Sequence, residues 1–187
     1  MAGRDAGPAD DGAASSGVGD PSSSLLEAWR ASFVAHGETA DLPPHHSNCL
    51  GCGPDNPHGH RLVARRNGDG VVAEHVFEGK HVGAPGIAHG GAVATVFDDL
   101  FGFQLYIVGT LAVTRNLQID YLAPVLLGER YALAADLTAR DGRKLHMSAR
   151  MSSSTKVVAE ARAVFIAVDV NHFSDPFRDR GDQETHS

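Results

Sequence analysis

The sequence lacks the features that mark secreted, membrane-spanning and nucleic-acid-binding proteins. Only 6% of its 187 residues are aromatic, and cysteine occurs only at Cys49 and Cys52. Two cysteines cannot build the disulfide framework of a small secreted domain. The formal net charge is -7 and no run of Lys or Arg interrupts it. This balance disfavours general binding of nucleic acid, which requires a basic face.

Long apolar runs are also missing. No segment offers the roughly 18 charge-free apolar residues of a membrane span, and the first 24 residues lack the apolar core of a secretory signal. We therefore expect a cytoplasmic protein with no membrane span. Residues 1–23 are rich in Gly, Ala, Ser and Asp, and this composition predicts disorder.

The rest of the chain fits one domain with short additions. Apolar spacing predicts an amphipathic helix over residues 24–37, and the domain itself is expected over residues 38–170. Its first part, residues 38–60, is dense in Pro, Gly, His and Cys and is expected to be a loop. A polar tail, residues 171–187, completes the chain.

The stretch "GIAHGGAVATVFDDLFGF", residues 86–103, is almost wholly apolar except for Asp98 and Asp99. Apolar residues on every side of the segment from Ala92 to Val108 predict a buried helix. Burying an unpartnered carboxylate is costly. Each acid is therefore paired, placed at an edge, or used in chemistry.

Extended runs surround this helix. Two precede it and flank "NGDG", a strong hairpin signal, whereas "HVGAPGIA" between them and the helix is expected to be a loop. Four follow it. In the first of these, alternation predicts that Val113, Arg115, Leu117, Ile119 and Tyr121 share one face; the last three are expected to form an antiparallel meander. The class is α+β, one sheet wrapped around one helix, and the helix face left uncovered predicts a partner subunit, most simply in a homodimer.

The start of the predicted helix is suited to binding negative charge. The "HGG" of His89, Gly90 and Gly91 leaves the first backbone N–H groups unobstructed, and these groups have no acceptor within a helix. Asp98 follows Gly91 by about two turns and falls on nearly the same face, whereas Asp99 is rotated by roughly 100°. We therefore expect Asp98 to lie beside a reacting centre and Asp99 to be a capping, paired or edge residue. The alternative is that both acids mark a polar strip at a subunit boundary.

These residues carry a resemblance. "HGG", the Asp nine residues after its His, and the "T-x-N-x-x-I-x-Y-x-x-P" run from Thr114 to Pro124 resemble the hotdog-fold acyl-CoA thioesterases, in particular the phenylacetate-pathway type and the THEM group. The "NCLGCGPDNPHGHRL" loop is similar to a segment of bacterial members. The resemblance implies a hotdog fold, with an antiparallel sheet around one long central helix, and a homodimer or a dimer of dimers.

The resemblance also implies residue roles. Asp98 would act as general base or nucleophile, with the Gly90 N–H as oxyanion donor. His89 would shape the turn, and the Thr114 hydroxyl would position water. The candidate substrate-binding residues are Gly91, Asn116, Arg143 and Lys144, the last two near the CoA phosphates. The active site would form between subunits, with Gly and Asp from different chains.

The implied reaction is hydrolysis of an acyl-CoA thioester, in which CoA is part of the substrate and no cofactor is needed. The alternative is a non-catalytic hotdog module that binds an acyl or aromatic ligand. A hydratase is less favoured, because the Asp-x-x-x-x-His pairing of those enzymes is missing. Thr114 could also be an ordinary strand residue, and Arg143 and Lys144 could be ordinary solvated charges.

The C-x-x-C spacing of Cys49 and Cys52 raises the question of zinc. Four histidines lie nearby in sequence: His45, His46, His58 and His60. A structural zinc site usually combines two such pairs, and histidine-rich loops are common without metal. We therefore expect no metal, and a loop shaped by Gly and Pro that covers the mouth of the acyl site.

Overall fold

The computed structural model describes residues 40–169. The predicted disordered segment 1–23, the predicted helix 24–37 and the predicted tail 171–187 lie outside the described residues. The predicted loop is confirmed for residues 40–60, which contain no named helix or strand. The domain boundaries themselves stay predictions.

The elements follow the predicted order, with one addition. The predicted hairpin is β1 (Ala64–Asn67) and β2 (Gly70–Val76), and the central helix is α1 (Gly90–Val108). The long strands after it are β5 (Ala112–Tyr121), β6 (Arg130–Asp141), β7 (Lys144–Ser152) and β8 (Val157–Ala167). The addition is a short pair, β3 (Val82–Ala84) and β4 (Ile87–Ala88), preceded by a 3-10 turn at Gly79–His81.

The short pair corrects the expectation that "HVGAPGIA" is only loop. β3 and β4 form a separate two-stranded antiparallel sheet. The turn between them contains Gly86 at a φ of 75°, a left-handed conformation that glycine adopts without strain. Two very short strands leave no periodic pattern, so the Gly and Pro residues dominate the sequence signal.

The main sheet has six strands in the order β1-β2-β6-β7-β8-β5, and every pair is antiparallel. The predicted meander of β6, β7 and β8 is confirmed. Helix α1 packs against one face of this sheet through Val93, Val96, Phe97, Leu100 and Phe101, all essentially inaccessible to solvent. By length and composition α1 could also cross a bilayer, but core helices of soluble proteins pass the same test.

A bulge in β5 breaks the predicted alternation. Thr114 pairs with Phe165 and Asn116 pairs with Val164, so that Arg115 is the extra residue. Residues opposite one another in an antiparallel pair share a face, and Phe165 is buried beneath the helix. Thr114 therefore points to the helix side together with Leu117, whereas Asn116 points to the outer face.

Candidate active site

The start of helix α1 is built around His89. This residue is the N-cap, and its Nδ1 accepts a hydrogen bond of 2.8 Å from the Gly91 N–H. The N–H groups of Ala92 and Val93 both donate to the His89 carbonyl. Among the described residues, the Gly90 N–H has no acceptor. One donor is thus left available at the positive end of the helix.

Gly90 lines a first cavity, of about 420 Å³. The Tyr121 hydroxyl donates to the Gly90 carbonyl at 2.8 Å and ties the helix start to the end of β5. The cavity is lined mostly by apolar groups: Ile87, Ala88, Gly90, Val93 and residues 121–125. Its rim includes Tyr121 and Leu122, which are both more than half exposed.

Asp98 lies in a second cavity, of about 450 Å³. The Thr114 hydroxyl donates a hydrogen bond of 2.8 Å to Asp98 Oδ1. Burial raises the pKa of Asp98 above its ordinary value, and the hydrogen bond from Thr114 only partly opposes this. The other lining residues come from the helix, β5 and the C-x-x-C loop: Cys49, Leu50, Gly51, Ala94, Thr95, Asp99 and Leu117.

Asp99 has a different environment. Its side chain is only 8% exposed, and its Oδ1 lies 3.1 Å from His45 Nδ1 and 3.3 Å from Cys49 Sγ. Burial raises the pKa of Asp99, against the opposing effect of the His45 hydrogen bond. Helical phase indicated that the two acids would differ in this way, and the structure places Asp98 in the open cavity and Asp99 in a buried polar cluster.

Within one chain, Asp98 and Gly90 do not meet. Eight residues separate them along a continuous helix, a distance of about 12 Å at the usual rise per residue. The sequence argument placed the Asp98 carboxylate near the glycine turn because both lie on one helix face. That shared face does not bring Asp98 and the Gly90 N–H of the same chain to the carbonyl of one substrate. They border different cavities of the same chain.

The candidate substrate-binding residues are dispersed. Gly91 lies in the first turn beside His89, but Asn116 is turned to the outer face by the bulge. Lys144 pairs with Ile166, which pairs in turn with Val113, so Lys144 lies two strands away from the start of β5. Its neighbour Leu145 is fully buried, and alternation directs the Lys144 side chain to the outer face. Arg143 lies in the exposed turn. The roles of these residues stay predictions.

Sequence reasoning did not connect the C-x-x-C loop with Asp99. The structure brings together ligand atoms of His45, Cys49, Cys52 and Asp99, all within 4.8 Å of one another. The four-residue step from His45 to Cys49 was a local signal, but the contact with Asp99 spans 50 residues. The expectation that no metal binds is untested by these contacts.

Known proteins resemble this chain over much of the part that contains the fold and both cavities. Residues 85–163 match the family model of the thioesterase superfamily. This part of the chain is therefore similar to the thioesterase superfamily, and the fold is the hotdog fold that the sequence resemblance predicted.

Two relatives are acyl-coenzyme A thioesterases named THEM4. The chain is 36% identical to THEM4 of Rattus norvegicus over 89 residues, which are 46% of this chain and 38% of the relative. It is 32% identical to THEM4 of Bos taurus over 115 residues, 59% of this chain and 47% of the relative. The chain thus spans less than half the length of these relatives.

Solved structures share the fold. A thioesterase superfamily protein superposes with a TM-score of 0.61 at 24% identity, over 64% of this chain and 60% of that one. The PaaI protein of E. coli, from the phenylacetic acid degradation operon, gives 0.55 at 17% identity, over 59% and 81%. A hypothetical thioesterase from Streptococcus pneumoniae, solved with coenzyme A, gives 0.51 at 20% identity, over 53% and 81%.

Proposed function

We propose that this chain hydrolyses acyl-CoA thioesters to the free acid and CoA. The observation that carries the proposal is the half-buried Asp98 carboxylate, held by the Thr114 hydroxyl at 2.8 Å in an otherwise largely apolar cavity. An acid in such surroundings is a candidate catalytic group, because desolvation makes it a stronger base and the cavity has room for an acyl chain.

Asp98 supports two routes. As a general base it removes a proton from water, which attacks the thioester carbonyl; as a nucleophile it attacks the carbonyl itself and forms a mixed anhydride that water then cleaves. In both routes the carbonyl oxygen gains negative charge and the CoA thiolate leaves. The Thr114 hydroxyl keeps one carboxylate oxygen fixed, so that the other is free to act.

The Gly90 N–H is the proposed oxyanion donor. A single preorganised donor of this kind typically contributes about 10²- to 10³-fold to the rate. Since Gly90 and Asp98 lie about 12 Å apart in one chain, we propose that Gly90 of one copy acts with Asp98 of a second copy. The exposed apolar rim at Tyr121, Leu122 and Leu126 and the free edge of β5 suit such a dimer.

The solved relatives add support. The Streptococcus pneumoniae protein was crystallised with coenzyme A, and a Streptococcus mutans protein was solved bound to acetyl CoA. Variants of the former replace an aspartate and a threonine that lie sixteen positions apart. Asp98 and Thr114 have the same spacing.

A panel of acyl-CoAs of different chain length and of aryl type, read by release of free thiol, tests the proposal. We expect turnover by the wild type and a loss of orders of magnitude in Asp98→Asn, because asparagine can neither take a proton nor attack. Glu74→Gln is the matched control, since Glu74 is exposed on β2, where it pairs with Arg130. Ligand binding without turnover of any thioester would instead identify a binding module and refute the proposal.

A further inference from the structure

A cluster of four potential metal ligands lies beside the proposed active site. His45 Nδ1 is 3.1 Å from Asp99 Oδ1 and 3.2 Å from Cys52 Sγ, and Cys49 Sγ is 3.3 Å from the same Asp99 oxygen. Around a tetrahedral zinc ion, ligand bonds of about 2.0 to 2.3 Å place neighbouring donor atoms roughly 3.3 to 3.8 Å apart. Three donor pairs therefore lie close to the separation that one ion requires, and all four donor atoms lie within 4.8 Å of one another.

The cluster is buried without being fully satisfied. Asp99 is 8% exposed and Cys52 is 4% exposed. Among the described residues, the buried Oδ2 of Asp99 has no hydrogen-bond partner. A carboxylate oxygen that is removed from water and left unpaired costs free energy, which a bound cation would offset.

Two glycines allow the loop to approach the helix this closely. A Cβ at Gly51 would overlap the Asp99 carboxylate, and one at Gly102 would lie 2.7 Å from Cε1 of His45. Gly51 lies between the two cysteines, and Gly102 lies one turn beyond Asp99 on α1. The sequence thus leaves space for the loop and the helix to bring their ligands together.

The loop also has the local geometry of a thiolate ligand turn. Cys49 and Cys52 flank a tight turn in which the Gly53 N–H donates to the Cys49 carbonyl at 3.0 Å. The backbone N–H of His45 donates to Cys52 Sγ at 3.2 Å.

We propose that His45 Nδ1, the thiolates of Cys49 and Cys52, and the Asp99 carboxylate bind one Zn²⁺ ion. Two sulfur ligands with one nitrogen and one oxygen suit a borderline-soft ion in a tetrahedral site, and four protein ligands make the site structural rather than catalytic. The ion fixes the C-x-x-C loop to α1 at the residue next to Asp98. This inference stands independently of the proposed hydrolysis, and it replaces the expectation of no metal.

A second group, His60, His75 and His81, is a weaker candidate. The rings of His60 and His81 are stacked with centroids 4.1 Å apart and an angle of 16°. Stacked imidazoles direct their in-plane lone pairs along parallel lines, not toward a common ion. Burial lowers the pKa of all three histidines.

Metal content tests the proposal. The full chain, purified under reducing conditions without a histidine tag or added metal, is analysed by elemental mass spectrometry. We expect about one zinc per chain, and at least a tenfold loss in Cys49→Ser and Cys52→Ser. His46→Gln is the matched control next to His45, because His46 is exposed and outside the cluster, and His75→Gln tests the histidine group. Both are expected to keep their zinc.

A second measurement covers variants that fail to fold. Cobalt added to wild-type protein after zinc removal should give the visible ligand-field bands and the near-ultraviolet sulfur-to-metal band of a tetrahedral thiolate site. Cys49→His, which substitutes one zinc ligand for another, should retain metal where Cys49→Ser does not. The proposal would be overturned if wild-type protein contained less than about 0.1 zinc per chain and gave no cobalt spectrum, or if Cys49 and Cys52 formed a disulfide. Loss of zinc in His46→Gln or His75→Gln would also overturn it.

Discussion

Replacing Gly90 with proline would remove one N–H group and little else. Gly90 is the first residue of α1, the position at which proline is best tolerated because its N–H has no partner within the helix. The preceding residue, His89, has φ -64° and ψ 136°, which is the extended conformation that a following proline requires. Gly90→Pro therefore tests the proposed oxyanion donor while the helix start is preserved.

Gly90→Ala provides the matched control. An alanine Cβ would lie 3.4 Å from the Tyr121 hydroxyl oxygen, which a small shift of that exposed ring accommodates. Alanine keeps the N–H and gains helix propensity, so the variant should retain most of the proposed activity. The two variants add side-chain atoms at the same position and differ chiefly in the donor.

The expected loss follows from the charge on the carbonyl oxygen. Removing one oxyanion donor typically lowers kcat by about 10²- to 10³-fold, equivalent to about 2.7 to 4 kcal/mol of transition-state stabilisation. The KM should change little, because the ground-state carbonyl carries much less charge. The measurements are kcat and KM by thiol release, with circular dichroism during heating to confirm that each variant is folded. Wild-type kcat in folded Gly90→Pro would refute the reasoning.

The same variant tests whether two copies share the site. In a mixed dimer of Gly90→Pro with Asp98→Asn, one site combines both intact groups and the other combines both defects. Random assembly of equal amounts should therefore recover about a quarter of the wild-type activity from two nearly inactive proteins. If each site lies within one chain, mixing restores nothing.

Further variants probe the residues around the two acids. Thr114→Val removes the hydrogen bond that lowers the pKa of Asp98, so this pKa should rise further. Because the deprotonated carboxylate is the active form, the acid limb of the pH profile of kcat/KM should move to higher pH. Thr114→Ser keeps the hydroxyl and should leave the acid limb nearly in place. An unmoved limb in Thr114→Val would contradict this role. Gly102→Ala should lower both the melting temperature and the zinc content, because the alanine Cβ would displace the His45 ring. This loss is expected even though alanine favours a helix by about 1 kcal/mol over glycine. Higher stability with full zinc content would show that this close approach is unimportant.

Sequence patterns predicted the long elements because each contains several repeats of its own period. Helix α1, the hairpin and the four later strands were found in this way, and helical phase distinguished Asp98 from Asp99. The pair β3 and β4 escaped because two or three residues contain no period. The bulge at Arg115 escaped because alternation is read one strand at a time, whereas a bulge is defined only against the partner strand.

The site was less predictable because its contacts are distant in sequence. That Gly90 and Asp98 border separate cavities depends on the distance along α1 and not on the face they share. The contact between Asp99 and Cys49 depends on how a loop without regular structure folds back over the helix. No local pattern encodes that path, although Gly51 and Gly102 permit it.

Helix geometry gives the two adjacent acids, Asp98 and Asp99, different environments. A rotation of about 100° between consecutive residues lets one backbone segment present Asp98 to an open cavity and Asp99 to a buried cluster. If Asp99 holds a zinc ion with the C-x-x-C loop, the ion also fixes Leu50 and Gly51, which line the cavity of Asp98. Loss of the ion would then disturb substrate binding more than the chemical step. A metal-free but folded protein should therefore show a raised KM, whereas Asp98→Asn should show a lowered kcat.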